Sequence, residues 1–385
     1  MPNTKFDSKS FNPEAFGKYV ESVPRLKRNE ILKSRAVVGS QILAELFASQ
    51  TGSAYARIPM FGQATANVLN YDGQTDIEGT GSTTFERGVF TLGRTFEKVE
   101  QDFSYDITSG VDFLDQVGNQ CADIIDEIDQ DILLSILAGI FAMTGKENKK
   151  FVNGHTYNIS RAGDGKVKET TMNNAIQKAS KQDKKLFTLG IMHSQVSTNL
   201  ENMKLLKYMT YTDADGITRD LTIATWNGKT IIIDDSVPTK ETYTITKDTE
   251  IDYSKIYFIK DGEDYVEVDE PNVDDIATYY EQDIEYTTYL FGDGVIERQP
   301  VPVKHPYEMT RDAHTKGGLD TLIHRWRTAY GVKGISYEKK KQKTLSPTNE
   351  ELADGSNWVL VNDGGTKPEY YDHKAIPIAR IISKG

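Results

Sequence analysis

The residues able to do chemistry are few and poorly grouped. Six histidines, His155, His193, His305, His314, His324 and His373, stand in no His-Glu-x-x-His or comparable ligand spacing. His314 and His324 with Asp312 form one conceivable metal group, against the plainer reading of polar histidines in a strand-to-helix region. Gly79-Thr-Gly81-Ser-Thr-Thr84 resembles a phosphate-cradling loop but lacks a third glycine and a Gly-Lys-Ser/Thr, and no helix is expected after it. Asp213-Ala-Asp215-Gly216 opens like a calcium loop, but Ile217 occupies the third ligand position and the distal bidentate Glu is missing, so a turn is expected. No serine lies in a Gly-x-Ser-x-Gly elbow. Asp123, Asp126, Glu127 and Asp129 could form an acid/base pair, yet they fall on the polar face of a helix. The sequence therefore names no nucleophile, base, cofactor or metal, and the expectation is a protein that is not an enzyme.

The elements that would position these residues begin with one long helix. Leu114, Val117, Cys121, Ile124, Ile128, Ile132 and Ile136 recur every three or four residues, which predicts a helix over Ser109 to Thr144 with one core-facing stripe. Asp112 and Asp115 suit its N-terminal dipole, and Gly145-Lys146 supplies a stop. At about 1.5 Å per residue this is a rod of roughly 54 Å, so the domain around it is expected to be elongated. The rod carries Asp112, Asp115, Asp123, Asp126, Glu127, Asp129 and Asp131 without a lysine or arginine. Like charges at helical spacing repel, so a basic partner is expected.

Composition is that of an ordinary globular chain, with 38% hydrophobic and 10% aromatic residues in 385, which excludes fibrous and wholly disordered classes. Cys121 is the single cysteine, so the chain can build neither an internal disulfide nor a thiolate cluster; a core position is expected for it. Met1 to Val20 has no apolar signal region, and no window reaches the length of a membrane span, which points to a reducing cytoplasm. The formal charge of -12 argues against a surface built for nucleic acid. That charge is unevenly spread. Met1 to Ser40 holds eight bases against four acids, whereas Glu241 to Leu290 holds three lysines against fifteen acids. The plain reading of the acidic stretch is a solvated face.

Along the chain, an arm leads into an amphipathic helix predicted over Asn29 to Phe47. Its Lys27, Arg28, Lys33 and Arg35 are the candidate counter-charge for the acidic rod, in the same subunit or a neighbour. Gly52 to Glu100 reads as a protruding two-stranded loop with too few large apolar residues for its own core, so it should pack on a second copy. Helices are predicted over Met172 to Gln182 and from His193 to about Met209. Strands are predicted over Lys185 to Met192, Thr222 to Thr225, Lys229 to Asp234, Ser254 to Lys260 and Glu285 to Phe291. Arg298 to Tyr307 reads as an edge strand limited by its prolines, Gly317 to Tyr330 as carrying a short helix, and Ala375 to Ile382 as a final strand.

Three motifs add a family resemblance. Thr225-Trp-Asn-Gly-Lys-Thr-Ile-Ile-Ile-Asp-Asp-Ser-Val-Pro238, Thr288-Tyr-Leu-Phe-Gly-Asp-Gly-Val-Ile296, and Thr310-Arg-Asp followed by Gly317-Gly-Leu-Asp-Thr-Leu-Ile-His-Arg-Trp-Arg327 are similar to runs in the major capsid proteins of tailed bacteriophages. The order of parts over about residues 30 to 338 also resembles that Hong Kong ninety-seven-type fold. One departure is Ala329-Tyr330-Gly331, where the family often has His-Pro before Gly.

The resemblance implies an α+β fold, an elongated phage-capsid architecture with a long spine helix, an extended β-hairpin loop and a compact α/β axial domain. Its parts would be an N-terminal arm and short helix (1–48), the extended loop and return strand (49–105), a peripheral domain (106–170 with 300–345), the axial domain (171–299) and a C-terminal extension (346–385). The implied function is self-assembly into pentamers and hexamers of an icosahedral head enclosing phage DNA. Intersubunit contacts are expected at Lys27, Arg28, Lys33, Arg35, Tyr71, Asp76, Glu78, Arg87, Asp123, Asp126 and Glu127. Some relatives crosslink through a lysine in the extended loop; Gly52 to Glu97 contains none, so locking is expected to be non-covalent. The resemblance further implies a separate scaffolding protein, because the arm is too short to be one, with a portal and a decoration protein as further partners. Double-stranded DNA would be contacted non-specifically, no membrane is involved, and the acidic stretch would face away from DNA. The virion, assembled in the bacterial cytoplasm, is the expected location. An enzyme with a pocket in the axial domain, and another virion protein, are the rival readings.

Overall fold

The computed structural model describes residues 30–48, 54–62, 68, 70–71, 76, 83–101, 113–212, 218–247, 250–253, 255–268, 270–366 and 368–385, without the side chains of 100–101, 113–120, 122, 209–212 and 218–223. The chain forms two units, Met1–Val152 with Gly294–Ile376, and Asn153–Asp293 with Pro377–Gly385. The break expected at 299/300 thus falls at Asp293/Gly294. Residues 346–385, expected as an extension, instead supply strands to both units.

The first unit contains the helices α1 (Glu30–Lys33), α2 (Gln41–Ala48) and α3 (Phe113–Phe141), and an eight-stranded sheet. Where one helix was expected over Asn29 to Phe47, the chain breaks. The Ser34 hydroxyl donates to the Ile31 carbonyl at 2.7 Å and accepts from the Ala36 amide, closing a turn. The β-branched pair Val37–Val38 then forms strand β1, parallel to β13 (Ile296–Val301).

Strands β2 (Tyr55–Phe61) and β3 (Thr84–Gln101) form the hairpin, and β3 continues along β15 (Leu319–Val332) for twelve residue pairs. β15 lies where a helix was expected. Its Thr321, Ile323, Trp326, Thr328, Tyr330 and Val332 suit a pleated surface, and two-sided pairing satisfies the backbone over most of its length. The opposite edge of β15 is shared by β14 (Tyr307–Asp312) and β13, both antiparallel to it. One strand was expected over Arg298 to Tyr307; Pro302 and Pro306, which have no amide hydrogen to donate, split it in two. β16 (Ile335–Tyr337) and β17 (Trp358–Leu360) extend the same sheet.

The core of this unit lies between the sheet and α3. Ile132, Leu133, Ile136, Leu137, Ile140 and Phe141 are buried there, and Phe90, Tyr337 and Trp358 pack ring on ring. Helix α3 ends at Phe141, short of the Thr144 expected, and residues 109–112 lie outside the described residues. At 29 residues it is roughly 44 Å long. It stops at Phe141 because Gly355 presses against the Ala142 carbonyl, and Gly145, at φ 97°, opens α4 (Lys146–His155) rather than closing α3. Of the predicted stripe, Ile132 and Ile136 are buried and Cys121, Ile124 and Ile128 are half-buried, while the side chains of Leu114 and Val117 lie outside the description.

The second unit is a ten-stranded sheet with α5 (Thr171–Ser180) and α6 (Ser194–Asn202). Its longest strand, β12 (Tyr280–Phe291), pairs with β9 (Thr239–Ile245) and β5 (Leu189–Met192) on one edge. The other edge takes β10 (Tyr257–Asp261) and β18 (Ile378–Ser383). β18 also runs parallel to β4 (Thr156–Asn158). β8 (Lys229–Ile233) continues the sheet through β7 (Thr218–Trp226) to β6 (Lys207–Thr212), and β11 (Asp264–Glu267) is the edge beyond β10. The helix expected to reach Met209 ends at Asn202, where Lys204, at φ 57°, turns the chain into β6. Met172, Ile176, Val196, Leu200, Trp226, Leu290 and Ile381 form the core. Among the described residues no single helix is long and apolar enough to cross a membrane. A seventh helix, α7 (Asn349–Ala353), belongs to the first unit.

Candidate assembly surfaces

The acidic helix finds its basic partner on the sheet beneath it. Asp129 is fully buried, not on the polar face where it was expected. Its Oδ2 accepts from Arg298 Nε at 3.1 Å and also from Arg298 Nη2, and its Oδ1 accepts from Trp326 Nε1 at 3.3 Å. Burial works against the Arg298 charge, but the Asp129 carboxylate outweighs it and raises that pKa. Arg298 and Trp326 stand on β13 and β15, so one carboxylate ties the helix to two neighbouring strands. The arm meets α3 through an amide: Gln130 Oε1 accepts from the Leu32 backbone at 3.0 Å, with Ile31 buried alongside. Lys33 and Arg35 are exposed; Asp123 is exposed, and Asp126 and Glu127 are half-buried. Lys27 and Arg28 lie outside the described residues.

The base of the hairpin is anchored in its own unit, where the sequence suggested that it depends on a neighbour. Ala56, Ile58, Phe85, Val89, Phe90 and Leu92 are buried. Arg87, expected at a contact with another copy, is 5% exposed and paired with Glu297 at 2.9 Å. Alternation along β3 turns Arg87 inward, and Glu297 on β13 meets it. Arg57 bridges Glu86 at 3.2 Å and Glu338 at 2.9 Å. Beyond this base the character changes. Phe61, Val68 and Tyr71 are 85%, 88% and 95% exposed, and Asp76 is exposed. Glu78, and the glycine-rich Gly79 to Ser82, lie outside the described residues.

The histidines are dispersed. His324 pairs across the strands with Tyr307, while Asp312, which accepts from the His314 amide at 3.0 Å, pairs with Leu319. That places Asp312 and His324 about 17 Å apart along the hairpin. His155 Nδ1 is 2.6 Å from the Ile378 carbonyl, and His193 caps α6 by accepting from the Gln195 amide at 3.1 Å. Asp213 to Gly216 lie outside the described residues. Among the described residues no three His, Cys, Asp or Glu side chains gather as a metal site.

Two further exposed features are charged and oppositely signed. In the first unit, Lys340, Lys341 and Lys343 are exposed on the loop after β16, and Leu345 beside them is 91% exposed. The loop is held from behind. Glu351 accepts from the Lys343 amide at 2.7 Å and from the Thr344 hydroxyl at 2.6 Å, and Asn357 Oδ1 accepts from the Lys341 amide at 2.6 Å. The Thr344 hydroxyl and the Lys343 amide hold the Glu351 carboxyl down to about 2. In the second unit, the β10–β11 hairpin carries Ile259 opposite Val266, 42% and 47% exposed, and Asp261 opposite Asp264.

With this geometry in view, comparison with known proteins gives one sequence match. The chain is 24% identical over 255 residues to the major capsid protein of Bacillus phage SPP1. It is similar to a phage coat protein. The match covers 66% of this chain and 63% of the phage protein, so the chain spans less than two thirds of that relative's length. No protein-family model matches. Among solved structures, the capsid of cyanophage Pam1 is 8% identical with TM-score 0.49, covering 100% of this chain and 99% of that one. The capsid of Helicobacter pylori bacteriophage KHP30 is 10% identical with TM-score 0.48, covering 99% of each. The sequence match to a coat protein accords with the resemblance carried by the motifs in Thr225–Pro238, Thr288–Ile296 and Thr310–Arg327. The matched phage protein is a shell protein, not an enzyme.

Sequence reasoning missed Arg298, Trp326 and Glu297 as partners of Asp129 and Arg87. A signal was present, since Arg298 and Trp326 sit in strand-forming runs where alternation turns every second residue inward. The pairing itself joins positions 169 and 197 residues apart.

Proposed function

We propose that this chain is a major capsid protein that self-assembles through non-covalent contacts into the pentamers and hexamers of an icosahedral phage head. The similarity to the SPP1 major capsid protein carries this reading. The anchored hairpin supports it, because it presents Phe61, Val68 and Tyr71 to solvent on a rigid base. Exposed aromatic and aliphatic side chains in that arrangement favour burial against another surface. In the assembled shell, Tyr71, Asp76 and Glu78 of one copy contact a neighbour, and Lys27, Arg28, Lys33 and Arg35 meet the exposed Asp123 and the half-buried Asp126 and Glu127 of another. A separate scaffolding protein, a portal and a decoration protein complete the head, which forms in the bacterial cytoplasm and encloses double-stranded DNA held non-specifically.

Expression alone and with neighbouring genes, followed by size-exclusion light scattering and negative-stain microscopy, tests the reading. Pentamers, hexamers, tubes or shells are expected. A monomer under every condition, scaffold included, overturns it. In assembling material, K33E with R35E is expected to reduce the assembled fraction several-fold; unchanged assembly would remove the arm contact.

A further inference from the structure

The loop after β16 has a construction that the fold of its own unit leaves unexplained. Lys339 adopts φ 53°, a left-handed conformation that costs a side-chain-bearing residue of order 1 kcal/mol. Gln342 donates to the Thr344 carbonyl at 2.6 Å, and Asn357 and Glu351 hold the backbone from behind. The result is a turn with a tethered backbone that displays Lys340, Lys343 and an almost fully exposed Leu345, with Lys341 also exposed and 3.7 Å from Asp354. Because the backbone is held before any partner arrives, docking costs the loop little backbone entropy and chiefly the rotamer freedom of its side chains.

The β10–β11 hairpin is the complementary shape. Side chains alternate across a strand, so Ile259, Asp261, Asp264 and Val266 share one face. Ile259 and Val266 form an exposed apolar step. Beyond it, Asp261 and Asp264 oppose each other directly across the turn at Gly262, with Glu263 exposed between them. Like charges directly opposite on paired strands are destabilising, and cations placed against them relieve the repulsion.

We propose that the lysine loop of one copy docks on the β10–β11 hairpin of a second copy, Leu345 against Ile259 and Val266, and the lysine ammonium groups against the carboxylates of the turn. This rests on the self-assembly reading above. The two patches differ, so copies joined this way meet head to tail, and such contacts generate rings when the rotation closes. A contact of this size is well below a standard interface and is weak alone. Repeated around a ring it gains avidity, while each step remains reversible enough to correct errors.

A charge swap in the full chain tests it, with the assembled fraction read by light scattering at about 0.15 M salt, where contacts beyond roughly 8 Å are screened. K340E/K341E/K343E, D261K/E263K/D264K and Leu345→Ser are each expected to lower the assembled fraction about ten-fold, the effect of losing a few close charge pairs or a buried apolar anchor. All are expected to keep the circular dichroism spectrum and melting temperature of the parent. The two triple variants combined are expected to restore assembly. Folded triple variants that assemble like the parent, or a folded combination that fails to rescue, overturn the pairing. So does a loop variant that assembles normally but loses co-purifying nucleic acid by its absorbance ratio, since the loop would then bind phosphate. A parent chain that never assembles overturns the self-assembly reading itself, and the pairing with it.

Discussion

Asp129 is the residue on which the first unit turns. A carboxylate with no solvent exposure is tolerable only when its oxygens are occupied, and here Arg298 and Trp326 occupy both. Removing one partner of a buried pair leaves the other charge uncompensated, so Asp129→Ala is expected to destabilise the unit by about 3 kcal/mol or more, read as a lower denaturation midpoint in urea. The acidic run on this helix pointed from sequence to a basic partner, and that much holds. Which base it is was not legible, because Arg298 is 169 residues away and looks like any strand arginine. Arg87 was misplaced for a similar reason. Its alternation with Phe85 and Val89 places it on an inward face, but the Glu297 that makes a buried arginine tolerable there lies 210 residues away.

Among the elements, helix α3 shows what periodicity can and cannot reveal. Its existence and its apolar stripe were plain from Leu114 to Ile136, while its end depended on Gly355 and Ala142, which meet only in the fold. Gly139 lies at a similarly close contact. A Cβ there would strike the Leu352 carbonyl and the Trp358 indole, where α3 crosses α7. Gly139→Ala is therefore expected to cost about 1–3 kcal/mol as overpacking, measured as a fall in melting temperature. β15 was misread as helical because Leu319, Leu322, Ile323 and Trp326 also fit a three- and four-residue period. The long partner β3 decides in favour of a strand. The lysine loop carries a pH signature. Glu351 titrates at about 2 in the fold, below its ordinary carboxylate range. The unfolded state binds the proton first, so this contribution to loop order is complete above about pH 4.5 and is lost as pH falls toward about 2. Protection of the Lys343 and Thr344 amides relative to their intrinsic exchange rates is expected to fall over that window, and Glu351→Gln to abolish the change.

At the scale of the whole molecule, the broad α+β class and the motif resemblance were legible, and the sequence match to a coat protein accords with them. The division into units was less so, because each unit is assembled from two separate stretches and composition does not change at Val152, Asp293 or Ile376. Charge polarity was read correctly as uneven, with fifteen acids against three lysines from Glu241 to Leu290. If oppositely charged surfaces join the copies, assembly should weaken as salt rises from about 0.05 to 0.5 M, where screening shortens from roughly 14 to 4 Å. Turbidity or light scattering across that range checks it.

The place of β18 has a consequence for biosynthesis. It pairs with β12 along six residues and with β4 along three, and the Gly385 carbonyl accepts from the Val167 amide. Those partners leave the ribosome long before Ile378 is translated, by several seconds at about 5–20 residues per second. During that interval neither unit has all its strands, since the first also waits for Gly294–Ile376. A nascent chain thus has no finished surface to offer a neighbour. In growing copies β12 and β4 each lack the strand that pairs with them, so the sheet of the second unit can close only after Ile378–Ser383 have been translated.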